Sequence, residues 1–444
     1  MNQTFYKKVI RIGLPITLSQ LMTSLLGFVD TVMVSSLGDD AISAVGIGAN
    51  FYFLMFMINF GLISGLSIFF AQFWGNKDYV SIQKTLIVTL FSGILLTGIF
   101  VTFGQFFTDF VVSLYNHVEN PIKHELVDYY ATSYIKIASF GYIFTSLSFV
   151  LIMFYRNMER VIFPQLVTFF TVILNTILNY VLINGYFMFP EMGVKGAAIA
   201  TVISSVLGFL WLATSFVLSK EEVFQLSFKA IQSIDTSFLK RLFSKALPVM
   251  VNETFWGLGM SMYIIAYSFI DDVAFPSYHI ANTIIGIFWV INAGISNACA
   301  IMLGNKLGEN DIKTAKIYGD KFVKLAFVSG IVMGVLVLVL SPYIPLMFID
   351  ASTEIKFNAT LILVVFSLFQ PIKFTNAIHI VGTLRSGGDT RFALFAEVGV
   401  LWGFGVPMAF ILSLFTGLSI YIVVFIVNFE EVIKLFLVHS RYKK

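Results

Sequence analysis

Apolar stretches long enough to cross a bilayer, roughly 20 residues each, recur along the whole chain, and no other feature restricts the fold as sharply. They fall at 12–34, 46–73, 86–108, 129–154, 161–188, 196–219, 246–270, 275–302, 323–349, 357–383, 392–415 and 418–438. Of the 444 residues 58% are hydrophobic and only 12% charged, too little charge to cover the surface of a soluble protein of this size. Lipid offers no partner to backbone N–H and C=O groups, so a spanning chain forms helices or a closed barrel. The runs lack the alternating pattern of barrel strands. The expected fold class is therefore an all-α polytopic membrane protein with about twelve transmembrane helices. The single cysteine, Cys299, excludes an intramolecular disulfide. The opening stretch MNQTFYKKVIRIGLP lacks a small-residue cleavage site and reads as the start of the first span.

Lysine and arginine set the orientation, because cytoplasmic loops carry the excess of both. With both termini cytoplasmic, the inner segments hold Lys7, Lys8 and Arg11, then Lys77 and Lys84, Arg156 and Arg160, and Lys220 through Lys245. They also hold Lys306 through Lys324, Arg385 and Arg391, and the C-terminal Lys434, Arg441, Lys443 and Lys444. These are most of the 28 basic residues. The net charge of +3 reflects this bias, and no nucleic-acid partner is needed to explain it.

The two halves echo one another. Leu14-Pro15 opens the first span and Leu247-Pro248 the seventh; Ala49-Asn50 recurs as Ala281-Asn282, and Ile58-Asn59 as Ile291-Asn292. The loop Gly75-Asn76-Lys77 recurs as Gly304-Asn305-Lys306, and Arg156 as Arg385, at an offset of about 230 residues throughout. An even number of spans per half makes these parallel repeats with a cleft between them. The expected organisation is an N-terminal six-helix lobe (1–219), a cytoplasmic linker (220–245) that is partly an amphipathic helix, and a C-terminal six-helix lobe with a short tail (246–444). The lobes are pseudo-symmetric, and the cleft lies within one chain, so a monomer is expected.

LPITLSQLMTSLLGFVDTVMVSSLG, the GNK loop, GVKGAAIATVIS and, in the second half, LRSGGDTRF together resemble the multidrug and toxic compound extrusion (MATE) transporters, from Arg11 to about Val438. The resemblance implies two six-helix lobes, alternating access, and export of small amphiphilic, often cationic compounds from a plasma (inner) membrane. It implies no cofactor, only Na⁺ or H⁺ as the coupling ion.

Polar residues inside the spans are costly and need a reason. Asp30 lies in the outer half of the first span, past Arg11 by roughly 28 Å of helix; the matching aspartate of MATE proteins binds the coupling ion or takes up a proton. The plain alternative is an interhelical hydrogen bond. Asn175 and Asn179, four apart, share one helix face, and Thr201 falls where the family supplies a further oxygen. Many family members carry an acid where this chain has Asn179, so one charge is missing here. Carboxylate, amide and hydroxyl oxygens suit a hard cation, although asparagine and threonine also serve simply to hold helices together. In the second half, Glu253 stands roughly 7–8 Å beyond Pro248, and Lys373 lies roughly 18 Å of helix from Arg385. Glu397 is a third candidate. A lysine that deep needs an anionic partner or loses its proton; Lys373 is expected to pair with Glu253 or Glu397, as a switch or as a static pair. Gln20, Asn50, Trp256, Asn282, Phe288 and Asn292 are candidates to line the substrate cavity, the rings through cation–π contacts. His279 and His379 read as packing histidines, and Asp389 as a loop residue. Pro15, Pro164, Pro248, Pro276, Pro371 and Pro407 mark possible bends.

Competing readings are weaker. A flippase for lipids or lipid-linked sugars of a related fold usually has extra helices and a strongly basic cavity, and Lys373 is the one deep cation here. A channel usually needs a pore loop or an oligomeric ring. An enzyme is not expected: HExxH, GxSxG and a sensibly spaced cysteine–histidine pair are all missing.

Overall fold

The computed structural model describes residues 2–35, 37–115, 121–225, 228–348 and 351–443. Side chains at 2–3, 25–29, 31–32, 35, 39, 121–123 and 228–229 lie outside that description. Every expected span is helical. In chain order they are α1 (Asn2–Ser35), α2 (Asp39–Gly75), α3 (Tyr79–Phe106), α4 (Pro121–Asn157), α5 (Ile162–Asn184) and α6 (Val194–Leu218). The second half follows with α7 (Thr236–Ser268), α8 (Ala274–Gly308), α9 (Ile312–Leu340), α10 (Thr353–Leu384), α11 (Thr390–Phe415) and α12 (Ile420–Val427 continued by Phe429–Lys443). Among the described residues there are no strands. Nine of these helices, α2 to α6 and α8 to α11, are long and apolar enough to cross a membrane over their described residues. Asn252 and Glu253 lower the hydropathy of α7, and α12 carries Glu430, Glu431 and Lys434 past a break at Asn428.

The chain forms two compact units: Leu18–Ser244, and Lys245–Lys444 together with Met1–Thr17. In the first, α4 packs against α2, α3 and α6, and α5 pairs with α6. The second repeats this scheme, with α10 against α8, α9 and both pieces of α12. The same capping starts the third helix of each half: Asp78 accepts from the Ser81 N–H at 3.0 Å, and Asp311 from the Thr314 N–H at 3.1 Å. Each cap satisfies an N–H that the helix cannot pair internally.

The unit boundaries fall inside α1 and α7. Phe5, at the start of α1, packs against Tyr318 and Phe322 of α9, while Phe238, at the start of α7, stacks on Phe73 of α2. The expected linker, 220–245, contains a 3₁₀ turn (Glu222–Phe224), a short helix (Phe228–Gln232) and, from Thr236, the start of α7. It is tied to the first unit by Phe224, packed on Phe154 and Tyr155, and by the Gln83 amide, which donates to the Glu222 carbonyl at 2.9 Å.

Helix irregularities sit partly away from the prolines. Pro15, Pro248 and Pro371 are inside helices as expected. Pro164 and Pro276 fall in the first turn of α5 and α8, where the missing N–H costs nothing. The second half instead bends through π-helical turns at Ile378–Leu384, Phe395–Gly399 and Leu401–Gly405. Such turns leave carbonyls out of the regular ladder and are frequent at functional sites.

Candidate functional site

In the first unit, Asp30 reaches a polar cluster on α5 and α6. The Asn179 amide donates to Asp30 Oδ1 at 2.7 Å and to Asn175 Oδ1 at 3.1 Å. Asn175 in turn donates to Ser204 Oγ at 3.3 Å and Thr201 Oγ1 at 3.4 Å. The four-residue spacing of the asparagines produces this ladder, since both amides leave α5 on one side. Turning the Asn175 amide over brings its nitrogen to 3.2 Å from Asp30 Oδ1, so either orientation keeps it in the cluster. Tyr134 of α4 hydrogen-bonds to Thr201 and interacts electrostatically with Asp30. Nothing in the sequence singled out Tyr134, one of 18 tyrosines.

Asn179, only 2% exposed, leaves its Oδ1 buried with no donor among the described residues. An unsatisfied acceptor beside a carboxylate is costly; a cation or a protonated group would satisfy it. The oxygens present, from a carboxylate, amides and hydroxyls, suit a hard cation and not a soft metal. Among the described residues no group of His, Cys, Asp and Glu has the makings of a metal centre.

The second unit brings Glu253 and Glu397 together, but not with Lys373. Both acids meet Arg385: Nη2 lies 2.5 Å from Glu253 Oε1 and 3.8 Å from Glu397 Oε2. The Asn252 amide donates to Glu397 Oε2 at 2.6 Å. Arg385 therefore differs from its reading as a loop cation. The π-helical turn ahead of it carries the helix on past the expected end, and its side chain is 6% exposed. Lys373 takes another route. Its ammonium sits 4.9 Å from the Phe366 ring centre and interacts with Glu431 and Glu430 of α12. Those two acids flank Lys434 at 3.3 and 3.2 Å; Tyr263 donates to Glu430 at 2.6 Å and Asn376 to Glu431 at 2.7 Å. Sequence reading counted Lys434 among the cytoplasmic cations and passed over both glutamates. The EE pair three and four residues before a lysine was the available signal.

The cavity candidates divide. Gln20, Asn50 and Asn282 are exposed. Asn292 is buried, accepts weakly from Ser296 at 3.5 Å and leaves its Nδ2 unpaired among the described residues. Trp256 and Phe288 are partly buried against the apolar core of the second unit, so their rings serve packing as well as any ligand. His379 is buried beside His439, ring nitrogens 3.3 Å apart. Asp389 pairs with Arg441 at 2.7 Å, as befits a loop residue.

Comparison with known proteins agrees with this architecture. A family model described as MatE matches residues 15–181 and again 248–411, once in each half. Over 412 residues the chain is 26% identical to a probable multidrug resistance protein, YoeA, of Bacillus subtilis, covering 91% of this chain and 86% of that one. Over 436 residues it is 25% identical to a probable multidrug resistance protein, NorM, of Neisseria meningitidis, covering 92% and 88%. The structure of a mutant of the Vibrio cholerae MATE transporter VcmN shares the fold, with TM-score 0.86, 15% identity and coverage of 99% and 97%. With the family model matching most of the chain, in the halves the repeat defines, the chain belongs to the MatE family of multidrug and toxic compound extrusion transporters.

Proposed function

We propose that this protein exports amphiphilic, often cationic compounds across the plasma membrane in exchange for Na⁺ or H⁺, with both termini cytoplasmic and Asp30 as the group that senses the coupling ion. One observation carries the reading: the Asp30 carboxylate accepts from the Asn179 amide, whose own Oδ1 is buried with no donor among the described residues. An ionised Asp30 favours whichever state keeps it wet; with H⁺ or Na⁺ bound it tolerates a drier one. A cation moves such an equilibrium only through its different affinity for the two states. Competition between cation and substrate then yields antiport by alternating access of two lobes, 1–219 and 246–444, joined by 220–245. Asn175, Asn179 and Thr201 complete the cation site, in a single chain surrounded by lipid.

The second-unit network supports a further response to charge. Glu253, Glu397, Glu430 and Glu431 face Arg385, Lys434 and Lys373, one carboxylate in excess when all are ionised. A proton or a cationic substrate balances it. The test is ethidium efflux from everted vesicles with sodium and pH gradients imposed separately, in wild type and Asp30→Asn. Loss of efflux when one gradient is removed identifies the coupling ion. Undiminished gradient-driven efflux by a well-expressed Asp30→Asn removes Asp30 from the mechanism, and indifference to both gradients favours a flippase or channel.

A further inference from the structure

The duplication puts an arginine at the same place in each half, Arg156 near the end of α4 and Arg385 just beyond the π-helical end of α10. Their surroundings are opposite. Arg385 is matched by Glu253 and Glu397 at 2.5 and 3.8 Å. Counting along the repeat, Gln20 stands in the place of Glu253 and Thr168 in the place of Glu397, both uncharged. Among the described residues Arg156 forms no ion pair, and its polar partner is Gln165, whose Oε1 accepts from Nη2 at 3.2 Å.

That bond commits the Gln165 oxygen and leaves its amide nitrogen as the free end. Gln165 is 7% exposed, and its Nε2 is buried with no acceptor among the described residues; so is Arg156 Nε. Arg385 also leaves its Nε unpaired, but its charge is balanced. At Arg156 a full positive charge and two orphaned N–H groups lie together. Both of these unsatisfied groups are donors, and a planar guanidinium beside an amide N–H is suited to paired oxygens.

We propose that Arg156 and Gln165 form a binding site for an oxyanion of the carboxylate or phosphate class, which supplies from outside the charge that Glu253 and Glu397 give Arg385 from within the chain. On the topology proposed above, this end of α4 faces the cytoplasm, where an anionic lipid headgroup and a soluble anion present the same chemistry. Only the choice of source rests on that topology.

The purified full-length protein, stripped of lipid, is melted in detergent with increasing inorganic phosphate against chloride at equal ionic strength. It is melted again in phosphatidylcholine nanodiscs with and without phosphatidylglycerol. The wild-type midpoint is expected to rise by several degrees with phosphate, with phosphatidylglycerol, or with both; the arm that responds names the source. Arg156→Gln is expected to lose the response. Gln165→Glu places a carboxylate beside the guanidinium, and is expected to raise the anion-free midpoint and abolish the response. This variant keeps Arg156 and carries the test if Arg156→Gln does not fold. A wild type indifferent to both additions, or variants that respond as it does, would overturn the site. Because the readout is anion-dependent stability and not efflux, its failure leaves the Asp30 mechanism untouched.

Discussion

Removing Arg385 should cost the protein much more than removing either acid it holds. Arg385, Glu253 and Glu397 have side chains 6%, 12% and 18% exposed, and one nitrogen, Nη2, serves both carboxylates. Arg385→Met deletes the shared cation and leaves two neighbouring acids buried without it. Breaking a buried pair in this way costs about 3–5 kcal/mol. Glu253→Gln is milder, because the guanidinium keeps Glu397 and the new amide oxygen still accepts from Nη2. What is lost is the charge reinforcement of one hydrogen bond, about 1.5–3 kcal/mol at most. In the double variant only Glu397 remains exposed to the loss, and Asn252 still donates to it at 2.6 Å. The combined cost should therefore fall short of the sum by roughly 1–3 kcal/mol. Titration of the purified protein with sodium dodecyl sulfate, followed by intrinsic fluorescence, gives the three losses on one scale, and heat-inactivation rates provide a check where unfolding is irreversible. Equal losses for Arg385→Met and Glu253→Gln, or simple additivity in the double variant, would show that the shared guanidinium carries no special energetic weight.

Two further outcomes are expected. Lys373→Met leaves Lys434 alone between Glu430 and Glu431; efflux should fall while surface expression persists, and Lys373→Arg should restore part of it, whereas full efflux by Lys373→Met would make the pair static. Asp311 lies outside the spans, and the Thr314 hydroxyl and backbone N–H hold its carboxyl below the usual range. Its cap on α9 is thus present at neutral pH and lost as pH falls through that lowered value. Wild type should melt above Asp311→Ala at neutral pH, with the gap closing in acid; a gap that widened in acid would contradict the sign.

Features that depend on local spacing were legible from the residues, and those that depend on tertiary packing were not. Apolar length located the helices, and the four-residue step placed Asn175 and Asn179 on one face; only the resemblance to the family set Asp30 against them. The ladder's third dimension was hidden: Tyr134 comes from α4, and only packing brings it near Thr201. Arg385 was read as a loop charge because a π-helical turn, with no composition signature of its own, prolongs α10. Lys373 was assigned to Glu253 or Glu397 because helix rise gives depth but not rotation. Rotation turns Lys373 toward α12, whose Glu430 and Glu431 the sequence reading had passed over. Pro164 and Pro276 marked helix starts, not bends, since a proline reads the same way in a first turn as in a hinge.

The central claim is that coupling cation and substrate are linked through Asp30, and linkage is reciprocal. It is tested most directly by titrating fluorescent substrate binding to the purified protein over a range of pH and Na⁺, in wild type and Asp30→Asn. The wild-type dissociation constant should rise as H⁺ or Na⁺ rises, and the variant should bind with one affinity throughout. A variant that kept the wild-type cation dependence would place the coupling elsewhere and contradict the account.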